Sequence, residues 1–366
     1  MDDTTPPLAG VRVLDLSRLI PGPYATLLLA ALGAEVIKVE PPGEGDYLRL
    51  LPPHGPDGMN AAFTALNRGK RSVALDLRAA GGPEALRQLA ARADVLVEGF
   101  RPGVLARLGV APEALRRANA RLITCSVGGY APNGPHASRA GHDLTYQARA
   151  GALALHSVGE APGLPVLPLA DLAAGLFAAQ GVLVALLARA ASGRGRHVAV
   201  SLEESVGALL LLERADAGAP VRFSDQLRGA RAGYRVYRCG DGRRLALGAL
   251  EPKFWRALCR TLGREAWAER WAEADQGALA GELATLLATR PAAEWEALLH
   301  AADVPCDLVR ELEEARAYPP LPYALGGGLP PDAPAPRHGA DTAAVLGEAG
   351  FGPAELAALR ATGAIS

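Results

Sequence analysis

The sequence predicts an α/β protein with a parallel sheet, joined to a smaller α+β domain. Three observations carry this. Apolar strand-like runs alternate with helical stretches over residues 11–202. The first of these alternations is a β-α-β unit, the signature of parallel strands with a right-handed crossover. The length of 366 residues is too great for one ordinary core, so a second domain or a large insertion is required.

The elements follow in order. Residues 11–16 (VRVLDL) read as a buried strand, and Pro21-Gly22-Pro23 turns the chain. Residues 24–32 are apolar and helical, and Gly33 ends that helix. Residues 35–40 are the second strand. A strand at 72–77, a helix at 82–91 and a strand at 94–98 continue the alternation. The last runs into Gly99-Phe100-Arg101-Pro102-Gly103. Residues 112–118 form a helix with proline at an early position. Residues 122–127 are a strand leading into Gly128-Gly129-Tyr130, and 197–202 a further strand followed by a helix over 203–212. In open parallel sheets ligands bind beyond the carboxyl ends of the strands. The loops at 21–24, 99–103 and 128–143 should therefore share one rim.

Beyond residue 215 the pattern changes. Residues 234–239 and 244–248 read as a hairpin around Gly240-Asp241-Gly242, and amphipathic helices follow at 253–262, 278–288 and 292–300. Residues 225–318 form the smaller α+β domain. Residues 325–336 are rich in Pro and Gly and linker-like. The tail from Ala340 carries two short helical patterns, apolar enough to dock on the first domain.

Composition excludes several classes of function. Half the residues are hydrophobic, about a fifth are charged, and the net charge is −1. This is a folded profile with no basic stripe, so nucleic acid is not an expected partner. Cys125, Cys239, Cys259 and Cys306 are far apart and form no CxxC pair, so zinc is not expected and a reducing, cytoplasmic setting is. The N-terminus MDDTTPPL does not read as a signal peptide. Residues 172–188 approach membrane-spanning length but contain Gln180 and many small residues; a buried core helix is expected instead. The first βα turn is PGP, not GxGxxG, so NAD or FAD is not indicated.

The chemistry concentrates between Gly141 and Ala188. His142 stands before Asp143 and an apolar segment, either as a loop histidine beside a helix-capping aspartate or as a proton carrier on the rim. Asp171 directly precedes an apolar helix, where it reads as an N-cap. There the helix dipole should lower its pKa and favour the carboxylate, which suits a base or a nucleophile. Glu251 precedes Pro252 and a helix and needs no special role. Lys70, Arg71, Arg78, Arg101 and Arg107 lie at the rim and nearby turns, as solvated surface cations or as partners for a polyphosphate.

Several stretches carry a wider pattern. They include PLAGVRVLDLSRLIPGPYATLLLAALGAEVIKVEPP, NRGKRSVALDL, DVLVEGFRPGVLARLG, AGHDLTYQARAG, LPLADLAAGLFAAQGVLVALLAR and LALGALEPKFW. On these the chain resembles the family III CoA-transferases (CaiB/BaiF type), and within them the α-methylacyl-CoA racemase branch. The resemblance implies a large Rossmann-like domain from both chain ends (residues 1–215 and 325–366), an interlocked homodimer, and an acyl-CoA substrate along the carboxyl rim. It implies no metal, no redox cofactor and no membrane. The family's transferases use an aspartate nucleophile, which falls on Asp171. Its racemases pair that aspartate with the histidine of a GHD motif, here His142, and with a glutamate before proline, here Glu251. Contacts to CoA fall on Leu75, Arg78, Gly99, Phe100, Arg101, Arg107, Gly141, Asp143 and Tyr146.

The activity so implied is epimerisation of 2-methylacyl-CoA thioesters. The α-proton is acidic because the thioester delocalises the carbanion into an enolate. Inversion needs one proton carrier on each face, the role of His142 and Asp171. Backbone N–H groups at the helix mouths are expected to stabilise the enolate oxygen. The alternative implied by the same family is CoA transfer between carboxylic acids through Asp171.

Overall fold

Strand β1 (Arg12–Leu16) is an unbroken run of large residues, and all but its first residue are buried. Helix α1 (Pro21–Ala31) leads back to the parallel strand β2 (Glu35–Glu40). Pro21-Gly22-Pro23 does not turn the chain, as expected, but is the first turn of α1. Prolines are tolerated there because the first helical N–H groups have no intrahelical partner. Gly22 sits so close to Ser17 that an added Cβ would collide with its hydroxyl. Leu32 is the C-cap and Gly33, at φ 94°, carries the left-handed turn out of the helix.

The computed structural model describes residues 5–56, 58–158, 161–165, 167–215, 217–219, 223–315, 321, 329–330 and 333–366. After α2 (Ala61–Asn67) and β3 (Arg71–Ala74), helix α3 (Gly82–Ala91) turns Ala85, Leu86, Leu89 and Ala90 into the core. Strand β3 stops short of the expected residue 77. β4 (Val95–Glu98), α4 (Val104–Arg107), α5 (Pro112–Ala118) and β5 (Ile123–Gly128) follow. Then come α6 (Asp143–Ala150), a two-strand ribbon of β6 (Ser157–Val158) and β7 (Ala161–Pro162), α7 (Leu169–Ser192), β8 (His197–Ser201) and α8 (Leu202–Leu209). The six-stranded sheet has the order β3-β2-β1-β4-β5-β8, and every pairing in it is parallel. The chain moves outward from β1 to β3 and then returns to β4 on the other side. β1 and β4 therefore flank the topological switch point.

Helix α7 is the one helix among the described residues long and apolar enough to cross a membrane. It is packed within this unit, against α1, β5, β8 and α8. Its small residues Ala174, Gly175, Ala178 and Val182 are buried, and Gly175 lies against the Pro21 carbonyl and the Tyr24 ring. The opposite stripe, Leu176, Gln180, Val184 and Leu187, is exposed, so the expected fully buried helix is buried on one face only.

The chain divides at Leu209 and Leu210, earlier than the expected 215–225, because helical sequence breaks there rather than in a linker. The second unit, Leu210–Ala317, begins with α9 (Leu211–Ala215) and the single turn α10 (Phe223–Asp225). Strands β9 (Tyr234–Arg238) and β10 (Arg244–Gly248) form the expected hairpin, with β11 (Cys306–Leu308) antiparallel on the far side of β10. Helices α11 (Pro252–Thr261), α12 (Gly277–Leu287) and α13 (Ala292–Ala301) close a core around Trp255, Trp267, Trp295 and Leu283. The indole N–H of Trp255 donates to the Trp267 carbonyl at 2.9 Å, and that of Trp295 to the Leu287 carbonyl at 2.8 Å. Buried indoles thus keep their hydrogen bonds. Of the linker-like stretch 325–336, positions 325–328 and 331–332 lie outside the described residues.

The chain then returns to the first unit as α14 (Thr342–Glu348) and α15 (Pro353–Ala361). Val345, Leu346, Phe351, Leu359 and Ile365 share one core with Leu14, Ile37, Val73 and Leu96. The edge strand β3 is covered by this tail. The Ser72 N–H donates to the Asp341 carboxylate, the Ala74 N–H to the Thr342 hydroxyl, and the Asp76 N–H to the Ala364 carbonyl.

Candidate active site

A cavity of about 610 Å³ opens at the carboxyl ends of β1, β4 and β5. It is lined by Ser17 and Arg18 after β1, Gly99, Phe100 and Arg101 after β4, and Gly128 to Tyr130 after β5. Gly141, His142 and Tyr146 close it from α6 and Asp171 from α7. An open groove of about 830 Å³ in the second unit is larger, but none of the candidate residues lines it.

His142 is the N-cap residue of α6. Its backbone is extended, its N–H donates to the Thr145 hydroxyl at 2.9 Å, and its side chain is exposed on the cavity. Asp143, the first residue of the helix, bonds across to α7. One carboxylate oxygen accepts the N–H groups of Ala170 at 2.7 Å and Asp171 at 3.1 Å; the other accepts from the Gln147 amide at 2.6 Å. Asp143 thus caps a helix to which it does not belong, and it holds the mouths of α6 and α7 side by side. It does not line the cavity.

Asp171 departs from two expectations. It is not an N-cap: Pro168 holds that place and Asp171 lies within the first turn of α7. Its pKa is not lowered by the helix dipole. Burial, reinforced by the negative charge of Asp143, pushes it up to about 7. A third expectation changes with these. The first N–H groups of α7 are already satisfied by Asp143, so that helix mouth does not offer them to an enolate oxygen.

Tyr146 is buried edge-on against Tyr130, with ring centroids 5.2 Å apart. Its ring lies against Gly129 and Gly141, where any side chain would collide with it. The Phe100 N–H donates to the Glu98 carboxylate at 2.7 Å, and burial raises the pKa of that acid.

Other expected positions stand apart from the cavity. Leu75 is 2% exposed, with its side chain in the hydrophobic core. Arg78 lies in an exposed turn where its N–H bonds Asp76, and Arg107 ends α4. Neither lines the cavity. Glu251 is an exposed residue at the head of α11 in the second unit, and its side chain does not cap that helix. Lys70 is a clear correction. It is not a surface cation but is buried, 3.1 Å from the Asp15 carboxylate and 2.7 Å from the Thr26 hydroxyl. Arg71 is committed to Glu35 and Glu348.

Sequence reasoning missed Ser17, Arg18 and Glu98 on the cavity, while Tyr130 and Arg139 lie in the 128–143 loop it placed on the rim. The available signal was position, because Ser17, Arg18 and Glu98 sit at strand carboxyl ends. The four cysteines are buried and unpaired. Among the described residues, Glu296, His300 and Asp307 are grouped closely enough to hold a cation. The His300 Nε2 already lies 2.7 Å from the Cys306 carbonyl, and Glu296 accepts the Leu308 N–H, so these groups join α13 to β11.

Fold and cavity together define a doubly wound α/β protein with a cavity at the switch point of its sheet. Residues 8–322 match CoA-transferase family III, and the chain belongs to that family. It is 36% identical over 262 residues to the α-methylacyl-CoA racemase of Homo sapiens, covering 70% of this chain and 65% of that protein. It is 35% identical over 266 residues to the succinyl-CoA:glutarate CoA-transferase of Mus musculus, covering 71% and 60%. Each match thus spans less than two thirds of the relative. A CaiB/BaiF family protein from Brucella suis superposes with a TM-score of 0.82 at 28% identity, over 94% of this chain and 100% of that one.

Proposed function

We propose that the protein epimerises 2-methylacyl-CoA thioesters by 1,1-proton transfer through an enolate, with His142 and Asp171 as the acid/base pair. The observation that carries this reading is their placement: two proton carriers on one cavity, from two helix mouths joined by Asp143. A carboxyl group titrating at about 7 populates both protonation states near neutral pH, which is what a group that alternates between base and acid needs. One of the pair removes the α-proton. The thioester enolate holds the electron pair. The other returns a proton to the opposite face, and the roles exchange with direction. The scheme uses residues of the first unit only and requires no metal or redox group.

The runner-up is CoA transfer through an Asp171-linked intermediate. It is favoured by relatives of nearly equal identity that carry transferase names. One incubation separates the two. In D2O, with a 2-methylacyl-CoA of one configuration, the proposed reaction gives α-deuterium and a mixed 2R/2S product. His142→Ala and Asp171→Asn should each lower exchange by about 10²- to 10⁴-fold. Absence of exchange, with CoA passing to an added carboxylate and an adduct trapped on Asp171, would establish the transferase instead.

A further inference from the structure

Arg18 has no part in the scheme above, yet it stands on the same cavity. Its guanidinium lies 5.0 Å from the Tyr47 ring centroid and 5.6 Å from that of Phe100, held between the two rings. Among the described residues no carboxylate lies within ion-pair distance of it. Several arginines of this unit are paired, Arg12 with Glu35, Arg49 with Glu40, Arg71 with Glu348 and Arg189 with Asp94; Arg18 instead is held by two rings. Rings order a guanidinium from its faces and leave its N–H edge unsatisfied.

The loop that carries Arg18 is fixed from beneath by buried charge. The Ser17 N–H donates to Asp15 at 3.0 Å, and the Ser17 carbonyl accepts from the Lys38 ammonium at 3.0 Å. The Leu19 N–H donates to Asp46 at 3.1 Å, with Leu19 at φ 63°. A leucine in the left-handed region is strained and persists only where its surroundings impose it. Here three buried ionised groups do so, and Arg18 is the residue displayed between the anchored ones. Arg18 and Asp171 line the same cavity. Pro21, three residues on, touches α7 at Gly175, which lies one turn from Asp171 on the same face.

We propose that Arg18 is a substrate-binding residue that takes an anionic oxygen pair of the ligand, either a phosphate of CoA or a terminal carboxylate of the acyl group. A planar guanidinium with a free edge matches both in bidentate geometry. The proposal rests on the reading that this cavity takes CoA esters.

The test is calorimetric binding to the full chain and to Arg18→Met, which keeps bulk and removes the donors. The probes are free CoA, a neutral 2-methylacyl-CoA and a CoA ester whose acyl chain ends in a carboxylate. A rise in Kd of tenfold or more for all three places a CoA phosphate on Arg18. A rise confined to the third places the acyl carboxylate there. Kd values within twofold of the parent for every probe, in a variant with unchanged Tm, overturn the proposal. If Arg18→Met fails to fold, Arg18→Lys serves, since a point charge without the planar fork should recover only part of the affinity. Binding is read without turnover. A protein that binds CoA esters and exchanges no α-proton therefore sinks the epimerase reading while leaving Arg18 in place, and one that binds none of the probes sinks both.

Discussion

Asp15 and Asp171 are both aspartates of the first unit near the carboxyl edge of its sheet, and they have opposite fates. Asp15 is fully buried at the end of β1. Burial pushes its carboxyl up, but the Lys70 and Lys38 ammonium groups more than offset this and hold it well below the usual range. Asp171 is only partly buried, yet burial pushes its pKa up to about 7, and its near charged neighbour, the carboxylate of Asp143, adds to that rise instead of offsetting it. Burial alone does not set protonation. Burial raises both carboxyls, and the sign of the nearest charge decides whether that rise stands. One corner of the molecule uses compensated charge to hold a loop rigid, and the other keeps an acid uncompensated and able to change state.

The largest effect expected from this contrast is at Lys70. Lys70→Met leaves Asp15 buried without its closest cation and should cost about 3–5 kcal/mol, read as a lower midpoint in denaturant unfolding. Equal stability of parent and variant would mean that Lys38 alone compensates Asp15. An intermediate effect, of opposite sign, is expected at Asp171. Its folded pKa of about 7 lies above the unfolded value of 3.8, so the native state binds the proton more tightly. The contribution of Asp171 to stability is therefore greatest below pH 4, falls as pH rises from 4 to 7, and is flat beyond. Asp171→Asn removes that loss and should stabilise the protein by about 1–3 kcal/mol at pH 8, with no gain at pH 4. A gain equal at both pH values would trace to packing rather than charge. The smallest effect is at Asp143. Asp143→Asn keeps an acceptor oxygen for the α7 N–H groups but removes the repelling charge. The midpoint of the pH profile of α-proton exchange should then move below 7, by about one unit or less, and an upward move would contradict the like-charge account.

Much of this was legible in the chain. The strands over 35–40 and 234–248, the helices at 82–91 and 112–118, and the docking of the tail follow from apolar periodicity and from Pro and Gly placement, which are local signals. His142 and Asp171 stand out because each precedes or opens an apolar helix. What was not legible depends on charge meeting charge across the fold. Lys70 reads as a surface residue until Asp15, Thr26 and Asn67 are seen around it. Asp143 reads as a cap for its own helix, but its partners lie 27 and 28 residues on. β11 is three residues long, too short to show an alternation. Proline in PGP suits a turn and a first helical turn equally, and only the fit of Gly22 against Ser17 decides between them.

The tail over β3 bears on how the chain is made. Translation delivers residues in order, at about 5–20 per second. The second unit has every partner for its tryptophan core once residue 317 has emerged. The first unit, whose sheet is synthesised earlier, still lacks Val345, Leu346, Phe351, Leu359 and Ile365 at that moment, and the outer edge of β3 is still bare. The part of the molecule begun first is thus the part finished last. Until Asp341 and Thr342 leave the ribosome, the outer edge of β3 has no partner for its N–H groups.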